Sequence, residues 1–302
     1  MTTPRIVPAR EFHRDGFRPE RFPGPYDEPG FLEAAAPGKG FYACFGPPGN
    51  DCFFPFTGRK IGWKWQLFQV PFCQRFTPFA AQPGGLSPEI WRAWSQWLCN
   101  QRWTGTWPFS LPQDCPTEEL FFPWAGRSNQ LLWPGSRSLD RWTRGRKSGL
   151  KKSEGLQVAE LNPETFRQHL CSLFSRPAGS LWRPGKKETG ALLRLSEHPE
   201  LGARITRCSV YNGARPLNLI LVLEHGDRFH YLFSASSPEG NEKDAMTRFF
   251  YHWLSDPSRG NRLFDLEGSS LPGVRSFFES LGAETEPYGI AWGNRNGSGP
   301  AL

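Results

Sequence analysis

A chain of 302 residues with 38% hydrophobic residues and a mean hydropathy of −0.54 holds one large domain or two ordinary ones, and reads as soluble and globular. No stretch approaches the roughly 18–20 consecutive apolar residues of a membrane helix, and Met1-Thr2-Thr3-Pro4-Arg5 lacks a secretory pattern, so a cytoplasmic protein without a membrane span is expected. The net charge of +7 raises a phosphate-bearing partner, while seven cysteines with no C-x-x-C pair and six histidines without ligand spacing argue against disulfides and against any metal site.

Residues 1–37 are rich in Pro, Arg and Gly with weak periodicity, and read as an extended N-terminal arm. From Gly40 the pattern changes to short apolar runs. Residues 41–45 and 52–56 read as strands around Gly46-Pro47-Pro48-Gly49-Asn50, and 60–69 as a third. Ser87-Pro88-Glu89 then opens a helix, with Ser87 as N-cap and a proline at the first helical position. Ile90, Trp91, Trp94, Trp97 and Leu98 recur every three or four residues, a stripe better explained by core packing than by a cofactor. Strands at 120–124 and 130–133 close a first half spanning 38–135.

The second half, 136–302, begins with a basic run holding Arg137, Arg141, Arg144, Arg146, Lys147, Lys151 and Lys152. It reads as a helix over 136–153, weakened by about 1 kcal/mol each at Gly145 and Gly149. A solvated face accounts for such a run, with phosphate binding as the alternative. A strand at 156–160 and helices after Asn162-Pro163 and over 187–197 follow. Strands at 203–210, 217–224 and 229–233 are joined by the turn residues Asn212-Gly213 and His225-Gly226-Asp227. The stretch Ser236-Ser237-Pro238-Glu239-Gly240 leads into a helix bearing Met246, Phe249, Phe250, Trp253 and Leu254.

Phe264-Asp265-Leu266-Glu267-Gly268-Ser269-Ser270 then reads as a short buried strand that ends in two carboxylates and a Gly-Ser turn, before a helix closed by Gly282. Asp265 and Glu267 alternate with Leu266, so both carboxylates can point the same way. A strand end feeding a tight turn and a helix N-terminus is where α/β folds place their chemistry. Ser269 fits a helix N-cap better than a nucleophile. A last strand covers 284–290. The order is β-α-α-β-β-β-α-β-α-β, and the first half repeats a shorter version.

Three segments carry a resemblance to a known family. The first is Phe54-Pro55-Phe56 through Lys60, with Gln69-Val70-Pro71-Phe72-Cys73-Gln74; the second is Arg146-Lys147-x-x-Leu150-Lys151-Lys152-Ser153-x-Gly155-Leu156; the third is the Asp265–Ser269 strand end with Phe277-Phe278 and Leu281-Gly282-Ala283. In order and spacing they resemble the FemAB-like proteins of the GNAT acyltransferase superfamily. The resemblance implies an α+β fold (an α/β mixed sheet): two GNAT-like halves packed side by side, each a mostly antiparallel sheet flanked by helices. It also implies an acyltransferase moving an N-acyl or aminoacyl group to an amine acceptor. No cofactor would be bound permanently. The donor would be acyl-CoA or aminoacyl-tRNA, which makes tRNA a candidate partner.

On that footing the working cleft lies in the second half, between strands 229–234 and 263–267. Amine attack needs a base and an oxyanion donor, and Asp265 and Glu267 are the candidate catalytic carboxylates. Asp265 as a turn cap, and Glu267 as the partner of an arginine such as Arg262 or Arg275, are the plainer readings. Ser236, Ser237, Gly240 and Asn241 are the candidate donor-binding loop, through N–H groups turned to phosphate. Arg146, Lys147 and Lys151 are the candidate phosphate-binding residues. That loop has a single glycine and three acids among residues 236–244, which disfavours a CoA pyrophosphate. The competing function is a non-catalytic GNAT-like module that binds RNA or another phosphate-rich ligand through the 137–152 helix.

Overall fold

A computed structural model describes residues 3–12, 22–46, 51–81, 86–104, 106–110, 118, 120–121, 124–135, 139–175, 185–268 and 272–292. The chain divides into two compact units: Met1–Arg127 with Pro287–Leu302, and Ser128–Glu286. The expected turn at 46–50 lies largely outside the described residues, as does Ser269.

In the first unit, the stretch expected as an extended arm carries a strand, β1 (Arg5–Pro8), and two helices, α1 (Ala9–Phe12) and α2 (Pro29–Ala35). Ala9, Phe12, Phe31 and Leu32 are buried. Helices of four and seven residues are too short to display a helical stripe, so the periodicity was invisible. β1 pairs with β2 (Gly40–Phe45), β2 with β3 (Cys52–Ile61), β3 with β4 (Lys64–Phe68), and β4 in parallel with β6 (Arg102–Thr104). A two-residue β5 (Phe79–Ala80) also pairs with β3. The expected strand over 60–69 is divided: its first residues finish β3, and a turn at Gly62 (φ 61°) starts β4.

Helix α3 (Pro88–Cys99) starts where its cap predicts, with Ser87 Oγ accepting from the Ile90 N–H, a contact worth about 1 kcal/mol. Its stripe is core: Trp91, Trp94 and Leu98 are buried. Trp94 stacks on Phe54 at 4.8 Å between centroids, and Trp91 meets Trp94 edge-on at 5.2 Å. Such pairs add about 0.5–1.5 kcal/mol each beyond area burial. These tryptophans, three of the chain's 13 with Trp97 at the helix's half-buried edge, are therefore packing residues. The remaining strand, β7 (Thr106–Phe109), pairs with the Gly289–Trp292 end of β15 (Glu284–Trp292).

The second unit is a mixed sheet in the order β10–β12–β13–β14–β8–β15. Its strands are β8 (Trp124–Leu132), β9 (Gln157–Glu160), β10 (Ile205–Asn212), β11 (Arg215–Pro216), β12 (Asn218–His225), β13 (Arg228–Ser236) and β14 (Leu263–Asp265). β9 and the short β11 both pair with β10. The strand expected at 130–133 is the end of a longer β8; of the one expected at 120–124, Leu120 and Phe121 are not in a strand, residues 122–123 lie outside the described residues, and Trp124 opens β8. The basic helix is shorter than expected: α4 (Arg144–Lys152) begins at a Thr143 cap, which its bulk charge did not reveal. Helices α5 (Pro163–Ser175), α6 (Lys186–Glu197), α7 (Pro238–Glu242), α8 (Ala245–Ser255) and α9 (Pro272–Ser280) complete the unit.

Two features of this sheet position the site. First, α8 covers one face, where Trp253 meets Phe229 at 5.2 Å and Phe264 at 5.3 Å, and Phe250 meets Tyr231 at 5.6 Å. Alternation then turns His230 and Asp265 to the opposite face. Second, the β12–β13 register shifts: Val222 faces Tyr231 and Leu221 faces Phe233, which leaves Leu232 as an extra residue on β13.

Candidate active site

Strands β13 and β14 run parallel and adjacent, with Arg228 opposite Leu263, Phe229 opposite Phe264 and His230 opposite Asp265. There the pairing ends. β14 stops at Asp265, while β13 passes its bulge and continues to Ser236. The two strands thus form a fork that opens immediately after His230 and Asp265. From Tyr231 onward β13 has no β14 partner among the described residues.

The chain leaves β14 through an unusual turn. The Leu266 N–H still donates to the Gln130 carbonyl of β8. Glu267 then adopts φ 59° and Gly268 φ 61°, two successive left-handed residues. Glycine is required at 268, because a Cβ there would sit 2.5 Å from the Ser128 carbonyl oxygen. Asp265 Oδ1 holds the turn, accepting from the Glu267 N–H at 2.8 Å and from Asn129 Nδ2 at 2.8 Å. Asp265 Oδ2 lies 3.5 Å from the Arg228 guanidinium, which is also paired with Glu286 at 3.0 Å. Asn129 Nδ2 is 3.3 Å from Glu286 Oε2 as well. Asp265 is therefore a fully buried network member that positions the turn.

Glu267 is different. Its side chain is 11% exposed and its Oε1 has no hydrogen-bond partner among the described residues. Burial pushes its carboxyl well above the usual carboxylate range. The Nδ1 of His230 lies 3.7 Å from Glu267 Oε1 and 3.8 Å from Asp265 Oδ2. Both carboxylates reach one imidazole, and the left-handed turn, rather than strand alternation, brings the second one there. Arg262, which the sequence offered as a partner for Glu267, instead pairs with Glu224. His230 and Arg228 were not among the candidate catalytic residues. The available signal was register: β13 pairs with β14 through His230 and Asp265, a relation that no sequence spacing displays.

The other candidates are arranged as follows. Ser236 ends β13, on the open side of the fork. Ser237 caps α7, its Oγ accepting from the Gly240 N–H at 3.0 Å and its carbonyl accepting from the Asn241 N–H at 3.0 Å. The N–H groups expected to cradle phosphate at Gly240 and Asn241 are thus engaged within the turn. Gly240 packs on β12's flank, where a Cβ would lie 2.5 Å from the Leu217 carbonyl oxygen. Two of the three acids near this loop are neutralised: Glu239 pairs with Arg215 at 2.7 Å, and Asp244 with Arg146 at 3.4 Å and Lys152 at 3.7 Å.

Within α4, Arg146 is committed to the fold. Besides Asp244, it donates to Thr247 Oγ1 at 2.9 Å and lies 5.0 Å from the Phe277 ring centroid. Lys147 and Lys151 are exposed, with the Lys147 ammonium 3.3 Å from the Asp140 carbonyl oxygen. The basic helix therefore offers solvent two of its three candidate phosphate ligands. Among the described residues no group of His, Cys, Asp and Glu could hold a metal ion, and no helix is long and apolar enough to cross a membrane.

Comparison with known proteins places the fold. No family model matches the chain, and no curated protein matches its sequence. Solved structures do. FemX aligns over 96% of this chain and 97% of its own, with a TM-score of 0.58 at 11% identity. A conserved protein of unknown function from Bacteroides thetaiotaomicron aligns over 87% and 88%, with a TM-score of 0.55 at 10% identity. L-PGS from Bacillus licheniformis aligns over 91% and 92%, with a TM-score of 0.52 at 13% identity. The chain shares the fold of these structures, α/β mixed with mostly antiparallel sheets, as the resemblance to FemAB-like proteins implied.

Proposed function

We propose that this protein is an acyltransferase that moves an N-acyl or aminoacyl group onto an amine, with the β13–β14 fork as its donor cleft. The observation that carries this reading is the parallel pairing that ends at His230 and Asp265, with an unpartnered carboxylate oxygen of Glu267 beside the opening. An ester or thioester carbonyl laid along the open edge of β13 meets backbone N–H donors suited to a developing oxyanion. The attacking amine must lose a proton. Glu267, with its affinity for protons raised by burial, accepts it as the C–N bond forms; the donor's C–S or C–O bond then breaks, and the departing thiolate or ribose oxygen takes the proton back by way of the adjacent His230 imidazole. Asp265, Asn129 and Arg228 hold the turn that presents Glu267.

The donor is acyl-CoA or aminoacyl-tRNA, bound as a co-substrate past Ser236 and the 237–241 turn. Ion pairing of Glu239 and Asp244 lowers the repulsion that three acids would otherwise offer a pyrophosphate. Lys147 and Lys151 are the exposed cations that the backbone of a tRNA donor would meet.

The test is transfer by the full chain from a panel of acyl-CoA and aminoacyl-tRNA donors to a panel of amines. Turnover is expected with one donor class, and Glu267→Gln should lower kcat by roughly 10²–10⁴-fold with donor KM little changed. An unchanged kcat removes Glu267 as the base. Salt-sensitive RNA binding without transfer from any donor replaces the enzyme with the binding module.

A further inference from the structure

The β3–β4 hairpin of the first unit ends in a feature that acyl transfer does not use. Between Asp51 and Glu89 the chain contains no Asp or Glu, yet it holds Arg59, Lys60, Lys64 and Arg75. Three of those cations flank the hairpin tip, Arg59-Lys60-Ile61-Gly62-Trp63-Lys64. Trp63 is 80% exposed, the most exposed of the large hydrophobic side chains among the described residues. An indole carried outward on a tight turn contributes nothing to a core, and thereby exposes a large apolar surface to water.

The strand register shows how charge is arranged around it. Arg59 lies opposite Gln66, Ile61 opposite Lys64, and Gln66 opposite Arg102 of β6. Cross-strand partners and every second residue share a face. Arg59, Lys64 and Arg102 therefore occupy one face with Ile61, while Lys60 is exposed on the other. Among the described residues none of these four cations pairs with a carboxylate. The Lys64 ammonium instead lies 4.4 Å from the Trp63 ring centroid, and Arg59 donates to Gln66 Oε1 at 2.7 Å.

We propose that this hairpin tip seats the protein on an anionic lipid bilayer, with Trp63 at headgroup depth and Arg59, Lys60, Lys64 and Arg102 against the lipid phosphates. Tryptophan favours the bilayer interface because its ring is apolar and its N–H needs a polar partner. Cations at the same level add attraction to a negative leaflet. The tip supplies both without a compensating acid. A single-stranded nucleic acid fits less well. Lys64 covers one face of the only ring at the tip, whereas nucleic-acid platforms stack successive bases on several open rings. Trp65, the next aromatic, is turned inward and packs edge-on against Phe41 at 4.6 Å.

The test is co-sedimentation of the full chain with sucrose-loaded vesicles of phosphatidylcholine containing about one third phosphatidylglycerol, against pure phosphatidylcholine. Binding to the anionic vesicles only is expected. Trp63→Ala should weaken it about tenfold or more, and Lys60→Gln with Lys64→Gln by about fivefold per cation. Both variants should keep the parent's circular dichroism and melting temperature, because the altered side chains lie outside the core. No pelleting with anionic vesicles, or equal pelleting of parent and Trp63→Ala, overturns the proposal. Trp63-dependent binding of a single-stranded RNA in the absence of vesicle binding also overturns it, and assigns the tip to RNA.

Discussion

Glu267 combines two costs, a left-handed backbone and a buried carboxyl whose Oε1 has no hydrogen-bond partner among the described residues. Its folded carboxyl binds protons more tightly than an unfolded one near 4.3. Its contribution to stability is thus full below that unfolded value and declines as pH rises through the higher folded value. Glu267→Gln should remove the decline. Calorimetry should find the variant melting above the parent at about pH 8, with the gain gone near pH 4. Asp265 calls for the opposite outcome. Its replacement by Ala takes the 2.8 Å acceptor from the Glu267 N–H and from Asn129 Nδ2 in a buried network and leaves Arg228 with Glu286 alone, and about 3 kcal/mol of stability should be lost in chemical denaturation. Gly268→Ala forces a Cβ against the Ser128 carbonyl at positive φ, and should cost about 1–3 kcal/mol.

At the scale of elements, the basic helix shows how a charge run misleads. Composition made Arg146, Lys147 and Lys151 equivalent, but only contacts separate them. Arg146 bonds to Asp244 and Thr247, and a Cβ on Gly149 would come within 3.0 Å of the Asp244 carboxylate. The glycine that weakened the predicted helix is what admits the acid. Asp244→Asn removes the countercharge of Arg146 and Lys152, so affinity for a short RNA at low salt should rise severalfold by fluorescence anisotropy. Unchanged affinity would mean that α4 does not face a polyanion. Helix caps, by contrast, were readable from sequence at Ser87, because a serine followed by proline and a helical stripe is a local signal.

For the molecule as a whole, the element order of residues 156–290 was legible because strand and helix periodicities differ and turns such as Asn212-Gly213 mark the joints. That order, with three local motifs, pointed to the fold that the structural neighbours share. Two things were not legible. The short helices of residues 9–35 carry too few turns to show a stripe, and the His230–Glu267 proximity arises from parallel pairing between strands distant in sequence. The first unit is also discontinuous in the chain, since it takes back Gly289–Trp292 to pair with Thr106–Phe109. Truncation after Glu286 strips β7 of this partner. Limited proteolysis of that shortened chain should cleave within the first unit well before the parent is cut.

The extra residue at Leu232 gives the fork a further property. The bend of β13 rests on a count of residues, one more than β12 matches, and so on chain length before side-chain chemistry. Point substitution changes the side chains along that bend while leaving the count intact. Deleting Leu232 would restore regular register with Phe233 still opposite Leu221, so the faces of Phe233–Ser236 would be kept and only the bend of the bulge lost. A single-codon loss is thus the change that would straighten β13.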